Sequence, residues 1–265
     1  MRPLWRLVRW GVVAVVLVLA LRLAVTIVRG GPGAHNVPFD AWYGNWREVA
    51  LATAVFLAFL LGFARPRRRG EWQQAGLYSA FLISLFTEMF GVPLTLYLLA
   101  PILGLPVGAF GMNESHLWAF ALDRAGLVPL AAGVYLVMVV SVVLIAAGMG
   151  LVAVGWATVY RGRGELVTGG LYRVLRHPQY LGLILIILGF NVMWPTLLTL
   201  LMAPLLVAMY VRLARQEDGE LARTFGPVFA AYAARTPGFV PRWRGRSADP
   251  SRTETPVGQL GGGGA

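Results

Sequence analysis

Residues 180–213 read YLGLILIILGFNVMWPTLLTLLMAPLLVAMYVRL, and this run decides the class of the molecule. A stretch so apolar must satisfy its own backbone groups in lipid, which in an open chain means helix. Two full membrane spans would need about 40 residues, whereas this run has 34 with Trp194-Pro195 at its centre. The residue before a proline is pushed out of the helical region. The run therefore predicts a compact helical hairpin whose turn lies near the outer membrane face.

Working outward, four more hydrophobic stretches appear: about Trp10 to Val28, Glu48 to Ala64, Leu77 to Leu103 and Leu127 to Tyr160. With the two hairpin arms, Tyr180 to Trp194 and Pro195 to Leu213, they predict an all-α, polytopic membrane protein of about six helices. Composition agrees: 57% of residues are hydrophobic and 13% charged, where soluble domains carry roughly a quarter charged. The first stretch follows Arg2, Arg6 and Arg9 but has no convincing small-residue cleavage site, so it reads as a retained anchor and not a signal peptide. The stretch from Leu127 to Tyr160 would be roughly 50 Å long as a helix, against a hydrocarbon core of about 30 Å. It is expected to tilt, kink or project from the membrane, and Ala146, Gly148, Gly150 and Gly155 would permit close helix contact.

The net charge is +11, and all 23 basic residues are Arg. Nineteen of them fall on one side of the predicted topology: before the first span, in Arg65 to Arg69, between Tyr160 and Tyr180, and from Arg212 onward. Arg29, Arg47 and Arg124 fall on the other side, and Arg22 lies inside the first span. The positive-inside rule then places both termini in the cytoplasm, in the cell membrane. Because orientation accounts for the excess, nucleic acid is not expected as a partner. Exclusive use of Arg reads as the codon bias of a GC-rich bacterial genome. With no Cys in the chain, disulfides, thiolate metal sites and a cysteine nucleophile are excluded. His35 and His116 stand alone, so no metal site is expected. Trp42, Tyr43 and Trp46 in the outer loop read as interfacial anchors. No internal repeat of the transporter kind is found. Three parts follow: membrane helices over 1–126, a core over 127–243 and a disordered tail over 244–265.

The chemistry concentrates in two places. The connector before the hairpin runs Gly164-Glu165-Leu166-Val167-Thr168-Gly169-Gly170-Leu171-Tyr172-Arg173-Val174-Leu175-Arg176-His177-Pro178-Gln179-Tyr180. Gly169 and Gly170 allow positive φ and close backbone approach to a ligand. Pro178 biases His177 to an extended conformation and can open the next helix. Tyr172 and Tyr180 offer ring faces to a cation and hydroxyls for hydrogen bonds. The plainer alternative is a basic juxtamembrane loop anchored by tyrosines. After the hairpin, Glu217, Asp218 and Glu220 put three acids within four residues of a chain that has only 12, followed by Phe225-Gly226-Pro227 and Tyr232. They are either helical surface charge paired with Arg or a carboxylate turned back toward a ligand amine or sulfonium.

In combination these residues resemble the isoprenylcysteine carboxyl methyltransferase and phospholipid methyltransferase superfamily, over about Gly164 to Arg242. The resemblance rests on Leu166-Val167-Thr168-Gly169-Gly170-Leu171-Tyr172, then Arg176-His177-Pro178-x-Tyr180-x-Gly182, the hairpin, and the acidic pair with Leu221 and a Phe-Gly step. It implies a cytoplasm-facing pocket for S-adenosylmethionine, with the methyl acceptor entering laterally from the bilayer. The implied cofactor contacts are Gly164, Glu165, Leu166, Val167, Tyr172, His177, Pro178, Gln179, Tyr180 and Glu217. Asp218 stands where the family more often has a second Glu, which shortens one carboxylate arm and keeps its charge. The family's substrate-contacting Arg falls near Arg212 and Arg215, and neither aligns cleanly.

The function expected on that basis is methyl transfer to a lipophilic acceptor. A carboxylate acceptor would favour a nearby Arg and an amine acceptor an acid, so Arg212 and Arg215 lean toward a carboxylate of an isoprenoid or other lipid. The alternatives are a phospholipid amine methyltransferase and a non-enzymatic transporter or lipid-binding protein. Glu88 is a further candidate on the acceptor side. An ionisable group near mid-span costs at least about 2.5 kcal/mol, so it either meets the acceptor, bonds a neighbouring helix as the neutral acid, or pairs with Arg22.

Overall fold

The computed structural model describes residues 43–63, 69–103, 117–162 and 165–240. The first predicted span with Arg22, His35 and Trp42, the connector Arg65 to Arg68, His116, Gly164 and the tail lie outside these residues. The described residues form α1 (Trp46–Phe63), α2 (Arg69–Phe86), a π-helical turn (Thr87–Gly91), α3 (Leu94–Leu103) and α4 (Leu117–Arg124). After these come α5 (Leu130–Arg161), a 3-10 turn (Gly170–Arg173), α6 (Pro178–Met193) and α7 (Leu197–Arg235). Among the described residues there is no strand. The helices α5 and α7 are long and apolar enough to cross a membrane, and α6 is a shorter apolar helix. The protein is an all-α membrane protein.

The hairpin forms where the sequence places it. Trp194, before Pro195, leaves the helical region with φ −138° and ψ 74°. Thr196 then caps α7: its hydroxyl accepts from the Thr199 amide at 3.0 Å, and the Thr199 hydroxyl accepts from the Thr196 amide at 3.2 Å. This reciprocal pair satisfies donors that a helix N-terminus otherwise leaves open. The second arm is longer than predicted, because nothing from Leu213 to Phe225 breaks a helix, and helix resumes beyond a kink to Arg235. The break comes at Gly226, whose φ of 52° departs from helix just before Pro227.

Packing is closest between α5 and α6. A Cβ built on Gly148 would sit 2.5 Å from the Gly182 carbonyl oxygen, and one on Gly182 equally close to that of Gly148. A turn or two on, the Ser141 hydroxyl donates to the Gly189 carbonyl at 2.8 Å. Among the small residues noted in the sequence, Gly148 and Gly155 face α6, whereas Ala146 and Gly150 are exposed.

The predicted span Leu77 to Leu103 is two helices. Pro93 holds Val92 extended, at φ −125° and ψ 116°, and the π-turn precedes it. Trp46 packs against Gly91, where a Cβ would meet its ring at 3.1 Å. The short helix α4, absent from the predicted spans, is tied to α5 by Asp123, which accepts from the Leu130 amide at 2.9 Å. The buried core then runs between α2, α6 and α7 through Phe81, Leu82, Leu85, Ile186, Ile187 and Leu206.

Candidate functional site

The connector between α5 and α6 packs against the far part of α7, at the end of the bundle away from the hairpin turn. Pro178 opens α6, and His177 before it has φ −125° and ψ 56°. The backbone of this step is held by a segment beyond α7: the Arg176 amide donates to the Pro237 carbonyl at 2.9 Å and the His177 amide to that of Gly238 at 3.1 Å. His177 is 2% exposed, so its ring has a fixed environment. Asp218 accepts from His177 Nε2 at 3.0 Å through Oδ1, and its Oδ2 is 3.2 Å from an Arg176 terminal nitrogen. A carboxylate only accepts, so Nε2 carries the proton, and Nδ1 points toward Glu217 Oε2 at 3.7 Å.

Three buried polar atoms here have no hydrogen-bond partner among the described residues: His177 Nδ1, Glu217 Oε2 and Arg176 Nε. Glu217 Oε2 accepts, Arg176 Nε donates, and His177 Nδ1 accepts when the ring is neutral with its proton on Nε2. Unmet groups of this kind are costly in a protein interior, and together they match a ligand carrying both an ammonium and a carboxylate.

Tyr172 and Tyr232 build the wall beside them. The Tyr172 hydroxyl donates to Gln179 Oε1 at 2.8 Å, with the Gly155 carbonyl 3.3 Å away, and the Tyr232 hydroxyl donates to the Tyr172 carbonyl at 2.6 Å. Burial pushes the Tyr172 phenol well above its usual range, helped by the charge of Glu217 and by Tyr232. Burial also pushes Tyr232 up to about 12, with Arg176 pulling it down and Asp218 adding to the rise. Phe239 and Tyr180 flank the His177 ring, with centroids at 5.7 and 5.8 Å.

Tyr172, His177, Pro178, Gln179, Tyr180 and Glu217 thus come together in one place. Leu166 and Val167 are half-buried and Glu165 is exposed, its amide donating to the Gly162 carbonyl at 2.9 Å. Gly170 has the positive φ, 60°, and Gly169 does not. Arg212 and Arg215 are exposed on α7, so neither joins the group. Glu88 lies at the opposite end. Its two oxygens accept from the Thr95 amide at 3.0 Å and the Thr95 hydroxyl at 2.8 Å. Thr95 in turn accepts from the Leu197 amide at the start of α7, twenty residues and thus about 30 Å along the helix from Glu217. Asp218, Tyr232 and Phe239 have structural parts that the sequence did not disclose. Asp218 was marked only as the second member of the acidic pair, and Tyr232 only by the acids and aromatics gathered after the hairpin.

Residues 128–228 match the phospholipid methyltransferase family, part of the isoprenylcysteine and phospholipid methyltransferase superfamily. The match covers α5, the connector, α6 and most of α7, which are the elements that assemble this site. Two curated relatives are similar to the chain. One is a cobalt-zinc-cadmium resistance protein of Cupriavidus metallidurans, 42% identical over 109 residues, which are 38% of this chain and 50% of the relative. The other is a nickel-cobalt-cadmium resistance protein of Alcaligenes xylosoxydans xylosoxydans, 39% identical over 101 residues, 36% of this chain and 47% of the relative. The chain therefore spans about half the length of the curated relatives it matches. No solved structure matches it. Among the described residues no three His, Asp or Glu side chains are grouped as a metal site would require.

Proposed function

We propose that this protein is a membrane methyltransferase that binds S-adenosylmethionine at the connector and methylates a lipophilic acceptor drawn from the bilayer, with the connector on the cytoplasmic side. The observation that carries the reading is the trio of unpartnered atoms at Arg176, His177 and Glu217. An amino-acid zwitterion supplies a cation for the two acceptors and an anion for the donor. Asp218 keeps the His177 proton on Nε2, which leaves Nδ1 free to accept. Tyr172, Gln179 and Tyr180 form the buried wall next to it, and Glu165, Leu166 and Val167 line the approach.

When bound, the cofactor supplies a methyl group already activated by sulfonium charge, so the chain's task is to align and to exclude water. No dedicated nucleophile or metal is required of it. Under this reading Glu88 serves the fold at the turn end, tying α3 to α7, and Arg212 and Arg215 serve the membrane surface. The lean toward a carboxylate acceptor then needs donors other than those two Arg. A phospholipid amine is the second reading, favoured by the description of the matching family.

Methyl-labelled S-adenosylmethionine incubated with membranes containing the protein tests the proposal: label should enter the lipid extract, base-labile if an ester and base-stable if an amine. No label would remove it. Glu217→Ala should weaken cofactor binding about tenfold or more by calorimetry, the scale of one charged hydrogen bond in a shielded site. Wild-type affinity in that variant would remove Glu217 from the site.

A further inference from the structure

Arg176 Nε, His177 Nδ1 and Glu217 Oε2 are buried as well as unpartnered among the described residues. A ligand the size of S-adenosylmethionine cannot reach atoms closed to solvent unless one wall of the site moves. Two of the walls are fixed. The connector runs straight into α6 through Pro178, and α6 is interlocked with α5 where Gly148 meets Gly182 and Gly155 meets the Gln179 backbone. The part of α7 that leads to Glu217 is anchored by Leu206, Tyr210 and Ala214, all buried.

The third wall is the segment 227–239, and it is joined to the bundle differently. Gly226, at φ 52° and ψ −126°, occupies backbone space that only glycine takes readily. Pro227 after it has no N–H to continue the helical ladder. Along α7 no residue between Ala214 and Phe229 is buried, so the kink sits in a stretch without a core anchor. Beyond it the segment closes on the connector. The Phe229 ring lies beside the Arg176 guanidinium at 5.9 Å, and the Tyr232 hydroxyl donates to the Tyr172 carbonyl. The Pro237 and Gly238 carbonyls accept from the Arg176 and His177 amides, and the Phe239 ring lies against the His177 ring. Each of these contacts falls on a residue of the candidate site.

We infer that residues 227–239 are a lid hinged at Gly226, which lifts to admit a zwitterionic ligand to Arg176, His177 and Glu217 and closes again over it. The ligand's identity as S-adenosylmethionine rests on the methyltransferase reading, whereas the lid rests on the hinge and on the contacts described. Closure serves such a site in two ways. It keeps water from a reactive sulfonium, and it strengthens each charge interaction beneath it by lowering the local dielectric. The Tyr232 bond and the two backbone bonds use none of the three unpartnered atoms. They hold the lid shut equally in the free and the loaded protein. Loosening them therefore favours the open state equally in both, so that entry and release quicken by the same factor and affinity holds.

The test uses the full chain in nanodiscs. The Arg176 and His177 amides donate to lid carbonyls, so their hydrogen exchange reports lid opening directly. Tyr232→Phe removes one latch bond, and Phe239→Leu removes a ring contact at the far end of the lid. Each variant should exchange these two amides about two- to tenfold faster, the value of one hydrogen bond or ring pair. The amides of Leu183 to Ile187 on α6 should keep the wild-type rate. Methyl-labelled S-adenosylmethionine should then bind and leave both variants faster by the same factor, with affinity as in the wild type. Faster release at an unchanged entry rate would make these residues ligand contacts and overturn the lid. Wild-type exchange at Arg176 and His177 in both variants, or acceleration of the α6 amides together with them, would overturn it too. If the wild type binds no S-adenosylmethionine, the methyltransferase reading fails, and faster exchange of the two amides in the variants still supports the lid.

Discussion

At the scale of single residues, the site depends on carboxylates that divide the work. Asp218 spends both oxygens on Arg176 and His177, while Glu217, one position away, keeps an oxygen unengaged. Adjacent acids on a helix point about 100° apart, so one can brace the His-Pro step while its neighbour faces a ligand. The sequence made Glu217 legible through its place in a motif. It gave Asp218 only as a shortened arm, because bracing depends on a partner 41 residues away. Tyr232 was equally opaque, and it carries a pH signature. Its phenol rises from 10.0 to about 12 in the folded chain, so its contribution to stability is present below pH 10 and lost as pH climbs through about 12. The thermal midpoint of the detergent-solubilised protein should hold to about pH 10 and then fall. Tyr232→Phe should start lower and fall less, with Tyr172 retaining its own share. An alkaline fall identical in the variant would show that the Tyr232 bond to the Tyr172 carbonyl is not the sensitive contact.

At the scale of elements, apolar length and proline position made the helices readable, and the interruptions were not. Val92-Pro93 contains a breaker, yet the surrounding leucines continue the hydrophobic run, so Leu77 to Leu103 reads as one span. Only the Trp46 ring on Gly91 and the Thr95 link to Glu88 show why the chain turns there. The α5–α6 contact was legible in kind but not in register. Four small residues were available on α5, and the structure uses Gly148 and Gly155 against α6. Gly182→Ala places a methyl against the Gly148 carbonyl oxygen and should destabilise by about 1–3 kcal/mol, the usual cost of overpacking. Gly150→Ala, with open space around it, should be neutral or slightly stabilising. Denaturation of the two variants in the same detergent separates them, and equal stabilities would contradict the packing described.

At the scale of the whole molecule, the two ends of the bundle have different tasks. The turn end is bound by Glu88, Thr95 and the Thr196 cap, and the connector end gathers the unpaired atoms of Arg176, His177 and Glu217. The contact between α5 and α6 has a mechanical consequence. Helices whose carbonyls and glycines interlock cannot slide without collision, so this pair behaves as a stator. Under the proposed function, an acceptor arriving from the bilayer would have to be admitted elsewhere, and the seam of α2 and α7, where Tyr78 and Tyr210 meet edge-on, is the candidate. The chain lacks cysteine, so spin labels can be placed one pair at a time without background. Labels at Val154 and Leu188, exposed on α5 and α6, should give one narrow distance distribution in nanodiscs with or without lipid extract. Labels at Ile83 and Leu201, exposed on α2 and α7, should give a broad distribution that narrows when S-adenosylmethionine and extract are added. Equal widths for both pairs would mean that the doorway lies elsewhere. If the widths differ as stated, the glycines do more than let two helices touch: they decide which wall of the bundle is allowed to breathe.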